Sequence, residues 1–496
     1  MAWLTALRAL KTIVPVGLTI GTLLGSTTAV ASSPRAIPIH EFELDNGLEV
    51  ILSEDRSVPL VAVNIWYHVG SKDEREGLSG FAHLFEHLMF QGAKAHDGEY
   101  FEPLREVGAS INGSTNTDRT NYYETLPSQH LPLALWMEAD RMGGLLDSLS
   151  QEKLDNQREV VRNERRQRYE VPPFGFTWKL LAEGFYPPGH PYRHLTIGTH
   201  EDLANADLEA VKAFFQRYYA PNNATLVIVG DFDRRTVKKL VQEYFGPIPQ
   251  GVTIRAPKVE PARFAEPVVL RHYADVPESR VWVGWHSPPL FAPGDAELDL
   301  IAGTLAGAPD TRLEQRLVRE TQVAKSVEAY QGSRQLGSTF LINATVAKGH
   351  TSDDVVREIR SVIQELLADR PMTQAEIDAA RADLERRSFQ SLATIKSRAD
   401  RLNTYNHMTG DPRYLETDLA RYANTTPRAV ADFASEILGK PSLELHILPD
   451  TARPEEPEAQ SPQRTGTSAM MLVAIAAPLL LLLALALGRR EKEGRR

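Results

Sequence analysis

The sequence predicts an α+β protein made of two related α/β halves, about residues 40–250 and 263–448. Both halves run through a shared order of strand-like and helix-like stretches. Ser279 to Ser287 (SRVWVGWHS) resembles Val63 to Ser71 (VNIWYHVGS), and each leads into a helical segment. Between them, Gly246 to Pro267 is rich in proline and poor in apolar periodicity, with 251–262 as the linker proper. A length of 496 residues corresponds to about three domains, and 42% hydrophobic with 24% charged residues is the make-up of a folded chain. The net charge of −10 argues against a general nucleic-acid binder, which needs a basic face. There is no cysteine, so thiolate ligands, cysteine nucleophiles and disulfides are excluded, and any metal site must use His, Asp and Glu.

Phe42 to Ser53 alternates around Asn46-Gly47, a strong hairpin signal. Val58 to Gly70 is β-branched and aromatic, as a buried strand requires. Leu78 to Gln91 and Glu99 to Val107 read as helices, and Gly108 to Thr125 as strand, turn and strand. Helices follow over Pro132 to Leu146, Gln151 to Tyr169 and Asp202 to Tyr218, then a strand over Asn223 to Val229 closed by Gly230. The second half supplies a strand at Ser279 to Ser287, helices at Asp295 to Leu305, Asp353 to Asp369 and Thr373 to Thr394, and a closing strand at Leu443 to Leu448.

Both ends carry membrane signals. Arg8 and Lys11 precede an uncharged stretch ending near Ala29-Val30-Ala31, the parts of a secretory signal peptide over 1–31. Residues 449–468 turn polar and proline-rich, as a disordered tether does. Ala469 to Leu487 is free of charge, and as a transmembrane helix it would span about 28 Å. The basic tail at 488–496 places that end on the cytoplasmic side. The expectation is an exported, membrane-anchored protein with its body outside the cytoplasm.

The chemistry concentrates in Phe81 to Gln91, FAHLFEHLMFQ. On a helix His83 and His87 stand one turn apart on one face, with Glu86 beside them. This order, H-x-x-E-H, is the inverse of the common H-E-x-x-H zinc motif; the histidines bind metal and the glutamate acts as base. Zinc needs a third protein ligand and, when catalytic, one open position. The carboxylates of Gln151 to Glu170 are the candidates. Glu164 follows Val160 and Val161 by four and three residues and shares the face they bury, whereas Glu159 lies about 140° round the helix. A carboxylate on an apolar face needs a partner, which favours Glu164. His96, His130, His190, His194 and His200 fall in loops or turns and read as structural.

With these residues the chain resembles the M16 family of zinc metallopeptidases (pitrilysin, insulin-degrading enzyme, mitochondrial processing peptidase). His83-Leu84-Phe85-Glu86-His87 matches its H-x-x-E-H, and Glu164, 77 residues after His87, matches its distal ligand. Gly108 to Asn112 with Asp118, Thr120 and Tyr122, then His190-Pro191-Tyr192, Ile197-Gly198 and Tyr219 to Asn223 match further landmarks. The resemblance implies the M16 fold with one Zn2+ per chain, and endopeptidase action on peptides or unfolded segments. It implies a substrate strand laid along Asn112, Gly113, Ser114 and Thr115. Two departures stand out. Gln157 replaces a glutamate many members carry. In the second half, Arg319 remains of an Arg/Tyr substrate element, but Lys325 falls about where the Tyr belongs. A second half without ligands implies a homodimer or a heterodimer with an M16-like partner. The alternative is a catalytically silent scaffold subunit.

Overall fold

The computed structural model describes residues 37–255 and 257–453. The expected signal peptide, the transmembrane segment and most of the tether lie outside them. Among the described residues no helix is long and apolar enough to cross a membrane. The tether expectation is corrected at its start: Pro449 closes the last strand and Asp450–Ala452 forms a short helical turn. The apolar run before Pro449 carries the ladder through it.

The first half holds strands β1 (His40–Glu43), β2 (Glu49–Glu54), β3 (Leu60–Tyr67), β4 (Ser110–Thr115), β5 (Thr120–Pro127) and β6 (Ala224–Gly230), in the order β1-β2-β6-β3-β5-β4. Its helices are α1 (Phe81–Leu88), α2 (Phe101–Glu106), α3 (Leu131–Ser148), α4 (Gln151–Arg165), α5 (Thr177–Phe185), α6 (His200–Asn205), α7 (Leu208–Tyr218) and α8 (Arg234–Phe245). The second half has β7 (Val268–Ala274), β8 (Arg280–Ser287), β9 (Ala324–Gly332), β10 (Ser338–Val346) and β11 (Leu443–Pro449), ordered β7-β11-β8-β10-β9. With them come α9 (Asp295–Leu305), α10 (Ser352–Leu367), α11 (Gln374–Ser391), α12 (Ile395–Thr409), α13 (Leu415–Ala423) and α14 (Pro427–Leu438). Strand for strand, β2-β6-β3-β5-β4 and β7-β11-β8-β10-β9 repeat one pattern, each with a single parallel pair, β2 with β6 and β7 with β11.

Several boundaries differ from expectation for identifiable reasons. The helix expected from Leu78 begins only at Phe81, because Gly80 takes a left-handed conformation (φ 95°). The single helix expected over Asp202 to Tyr218 is two, since Asp207 accepts from the Ala210 amide and caps a fresh start. The helix expected to reach Tyr169 leaves α-geometry at Arg166 and widens into a π-turn over Arg166–Glu170.

Alternation along the strands sorts side chains to two faces. Val61, Val63, Ile65, Leu226 and Ile228 point to the large core beneath α1, α3 and α7. Ile51, Ala62, Val227 and Val229 point the other way, and Ile395, Ala399 and Leu402 of α12 cover them. A helix of the second half thus seals the first sheet. Asn403 fixes the contact by donating to the Asn64 carbonyl at 3.0 Å. The rings of His68 (after β3) and His407 (α12) lie 4.4 Å apart at the same junction, and His68 Nε2 meets Thr225 Oγ1 at 3.0 Å.

Burial pushes the His68 imidazole down to about 4, with Glu49 raising it and Lys72 lowering it. Burial likewise drives His407 well below the usual range, helped by His68, Lys72 and Arg119. Both rings are therefore neutral in the fold while the unfolded chain charges them near 6.5, so their stabilisation is complete above that pH. Stability is predicted to fall as pH drops from about 6.5 towards about 4, at up to about 1.4 kcal/mol per pH unit for each imidazole. Urea unfolding at pH 7 and pH 5 reads this, and His407→Gln flattens the dependence; an equal pH slope in the variant refutes the assignment.

Candidate metal centre

α1 is short, and its N-terminus is held from outside. The Glu74 side chain is wholly buried, and its two oxygens accept from the Gly80 and Ala82 amides at 2.9 and 2.8 Å. These are first-turn amides that a helix cannot satisfy internally, and the carboxylate faces the positive end of the dipole. Beneath the helix, Tyr122 donates to the Phe85 carbonyl at 3.3 Å. The Arg141 guanidinium lies 4.0 Å from the Tyr122 ring and 4.4 Å from that of Tyr100, and it pairs with Glu138. Arg141 and Glu138 are both fully buried.

On this support His83 and His87 face α4. Their Nε2 atoms stand 3.6 and 3.2 Å from Glu164 Oε2, and the three donor atoms lie within 4.8 Å of one another. Ligands about 2.0–2.1 Å from one tetrahedral zinc ion are about 3.3 Å apart, so the trio fits such an ion. Glu164 Oε2 is buried without a hydrogen-bond partner, which is costly unless a cation faces it. Its other oxygen meets Arg168 at 3.0 Å. Burial and the neighbouring His87 push His83 down to about 4, leaving a neutral imidazole with a free lone pair. Burial raises Glu164, but His87, His83 and Arg168 outweigh it and hold the carboxylate below its usual value.

Glu86 sits beside the trio, and its Oε2 accepts from Thr115 Oγ1 at 2.7 Å. Burial raises its carboxyl, with Thr115 opposing. Gly113 allows β4 to come this close, since a Cβ there would stand 3.1 Å from Glu86 Cγ. β4 is the edge of its sheet, so one side of its backbone is unpaired next to Glu86. Asn112 is exposed, Ser114 is tied to Arg119 at 2.8 Å, and Asp118 in the following turn receives the Tyr192 hydroxyl at 2.5 Å. Arg319 lies exposed in the π-turn Glu314–Glu320, and among the described residues no hydrogen bond or ion pair joins it to the trio or to Glu86. Lys325, at the start of β9, pairs with Glu278. Gln157 is buried on α4. His200 pairs with Glu170 at 2.9 Å and His190 stacks on Tyr186, while His194 approaches Glu74 at 3.6 Å.

The second half repeats the construction without the ligands. Gly294 (φ 96°) opens α9 as Gly80 opens α1, and α9 packs against β9 and α11 as α1 packs against β4 and α4. Beside these elements lies a cavity of about 660 Å³, lined by small residues such as Ala302, Gly303, Ala306 and Ala380 and by the charged Asp299, Glu376, Asp383 and Arg387.

Residues 49–174 match the family described as "Insulinase (Peptidase family M16)", and 205–384 match "Peptidase M16 inactive domain". The zinc protease PqqE of Helicobacter pylori is 30% identical over 360 residues, covering 69% of this chain and 78% of that protein. The chain belongs to peptidase family M16. An uncharacterized zinc protease of Bacillus subtilis, YmxG, is 22% identical over 76% of this chain and 90% of its own length. Among solved structures, a protease from Helicobacter pylori superposes with a TM-score of 0.77 at 25% identity, over 83% of this chain and all of that one. A chain of Complex III2 from Candida albicans shares the fold alone, with a TM-score of 0.69 at 16% identity over 84% of this chain and 98% of that one.

Glu74 escaped the sequence reading of this M16 site, and Thr115 entered it as a residue of the substrate strand rather than as the partner of Glu86. Glu74 carries no spacing that marks it, since its partners are backbone amides. For the buried pair, Arg141→Ala removes the cation over two rings and leaves Glu138 uncompensated. The expected loss is about 3–5 kcal/mol in denaturant unfolding, against little change for Lys94→Ala in the exposed Lys94–Asp147 pair.

Proposed function

We propose that the protein is a zinc-dependent endopeptidase acting on peptides or unfolded protein segments. The convergence of His83, His87 and Glu164 carries this reading, and the M16 relatives named as zinc proteases support it. These three residues would hold the ion, whose chemistry when bound is to polarise a carbonyl and lower the pKa of water. Glu86 takes a proton from the attacking water at its carboxylate and returns it to the leaving amine. Its raised pKa suits both transfers, and the Thr115 hydroxyl fixes which oxygen faces the reaction. The unpaired edge of β4 over Asn112, Gly113, Ser114 and Thr115 takes the substrate backbone as an added strand. Recognition through main chain favours extended segments with weak sequence preference. Arg319, exposed in Glu314–Glu320, would keep its substrate role through contact with the bound peptide rather than with the trio.

The proposal extends to an exported body anchored by 469–487, and to a homodimer or a heterodimer with an M16-like partner, for which the ligand-free second half is the argument. A silent scaffold subunit is the competing reading. The match of 205–384 to a domain described as inactive favours it, and the intact ligand trio in the first half opposes it.

Glu86→Gln is expected to retain one zinc per chain and lose at least a hundredfold in kcat on an unstructured fluorogenic peptide. Cleavage at the parental rate removes Glu86 from its role. A chelator abolishes turnover and added zinc restores it; activity that survives metal removal favours another mechanism. In sedimentation the active species is expected to be larger than one chain, and a fully active monomer counts against the partner.

A further inference from the structure

His83 Nδ1 is buried without a hydrogen-bond partner, and the His83 and His87 rings meet edge-on at 4.9 Å. Among the described residues no hydrogen bond to Nδ1 aims the His83 ring, so its place follows from the place of its helix. The ligand geometry then depends on how α1 is set against α4, two elements far apart in the chain. One turn touches the relevant ends of both.

That turn is Ile197-Gly198. On one side it lies against the residues that open α1. A Cβ on Gly198 would meet the Ser79 carbonyl oxygen at 2.1 Å, and one on Gly80 would meet the Ile197 carbonyl oxygen at 2.7 Å. Both glycines are left-handed, with φ of 73° and 95°. The Thr199 amide donates to Ser79 Oγ at 3.2 Å, and Asp202 Oδ2 accepts from the Ser79 amide at 3.0 Å. On the other side the Gly198 carbonyl accepts from Arg165 Nη1 at 2.6 Å. Arg165 directly follows Glu164, its side chain is largely buried, and its Nε lies 3.1 Å from Glu170. Besides the direct packing of α1 on α4, a second link from Glu164 to His83 therefore runs through one guanidinium and one pair of touching glycines.

We propose that the Ile197-Gly198 turn is a register clamp for the metal centre, with Arg165 as the positioning residue that ties the Glu164 helix to the His83/His87 helix. The inference rests on reading those three residues as zinc ligands. It assigns Arg165 no contact with substrate or ion.

The test uses the full-length chain, zinc competition against a chromophoric chelator, and the visible spectrum of the Co2+-loaded protein. Arg165→Gln is expected to raise the zinc Kd about tenfold or more, in the range seen when groups supporting metal ligands are removed. It should also weaken the intense four-coordinate cobalt bands. Arg165→Lys, which keeps a donor, should recover most of the affinity. Gly198→Ala is the severe version, and if it does not fold the Arg165 pair decides alone. A merely structural role would lower the melting temperature of the metal-free protein and leave the zinc Kd and the cobalt spectrum unchanged, and that result overturns the clamp. Wild-type protein that takes up no zinc overturns the ligand reading itself, and the clamp with it.

Discussion

The candidate metal centre depends on two helices meeting so that two imidazole nitrogens and one carboxylate oxygen share a space under 5 Å wide. Such convergence is unfavourable by itself: it desolvates an anion and crowds lone pairs. The surrounding structure holds it by rigid means. Glu74 satisfies the free amides of α1, and Tyr122 supports the helix from below. Tyr122 in turn is braced by a guanidinium buried with its counter-charge. Arg141 Nη1 itself is buried without a partner, so this support is held at a cost.

The two halves show what is scaffold and what is chemistry. Both have the same strand order, the same left-handed glycine before the first long-range helix, and the same packing of that helix on an edge strand and a later helix. Among the described residues only the first brings a His/His/Glu group together there that could hold a metal ion. In the second, a cavity beside the helix is lined by small residues together with Asp299, Glu376 and Asp383. The same fold therefore carries different side chains at the two clefts, and the candidate site is a set of side chains added to it.

Much of this was legible in the sequence. Strands with continuous β-branched runs, such as β3 and β6, announced themselves because both their faces are buried. The candidate ligands were legible because a helix fixes the i,i+4 relation and because Glu164 lies one turn from buried Val161, although Val160, expected to be buried on the same face, is exposed. Boundaries were less so: Gly80 and Asp207 set helix starts through a backbone conformation and a cap that periodicity does not record. The helices α5, α8 and α12 to α14 and the strands β7, β9 and β10 went unnamed, although α8 buries Val237, Val241 and Phe245 along one face, α14 buries Val430, Ala434 and Leu438, and β10 is largely buried. Contacts between distant segments, Arg165 with Gly198 or Asn403 with Asn64, depend on tertiary geometry and leave no local trace.

The docking of α12 on the first sheet has one more consequence. Ile51, Ala62, Val227 and Val229 form an apolar face whose cover comes from beyond residue 390. A polypeptide ending at the linker would present that face to water, and would associate through it with whatever apolar helix it met. The ligand-bearing half is thus not an autonomous unit. Any natural or engineered division of this chain has to leave α12 with the sheet it covers, or supply an equivalent helix from the other piece.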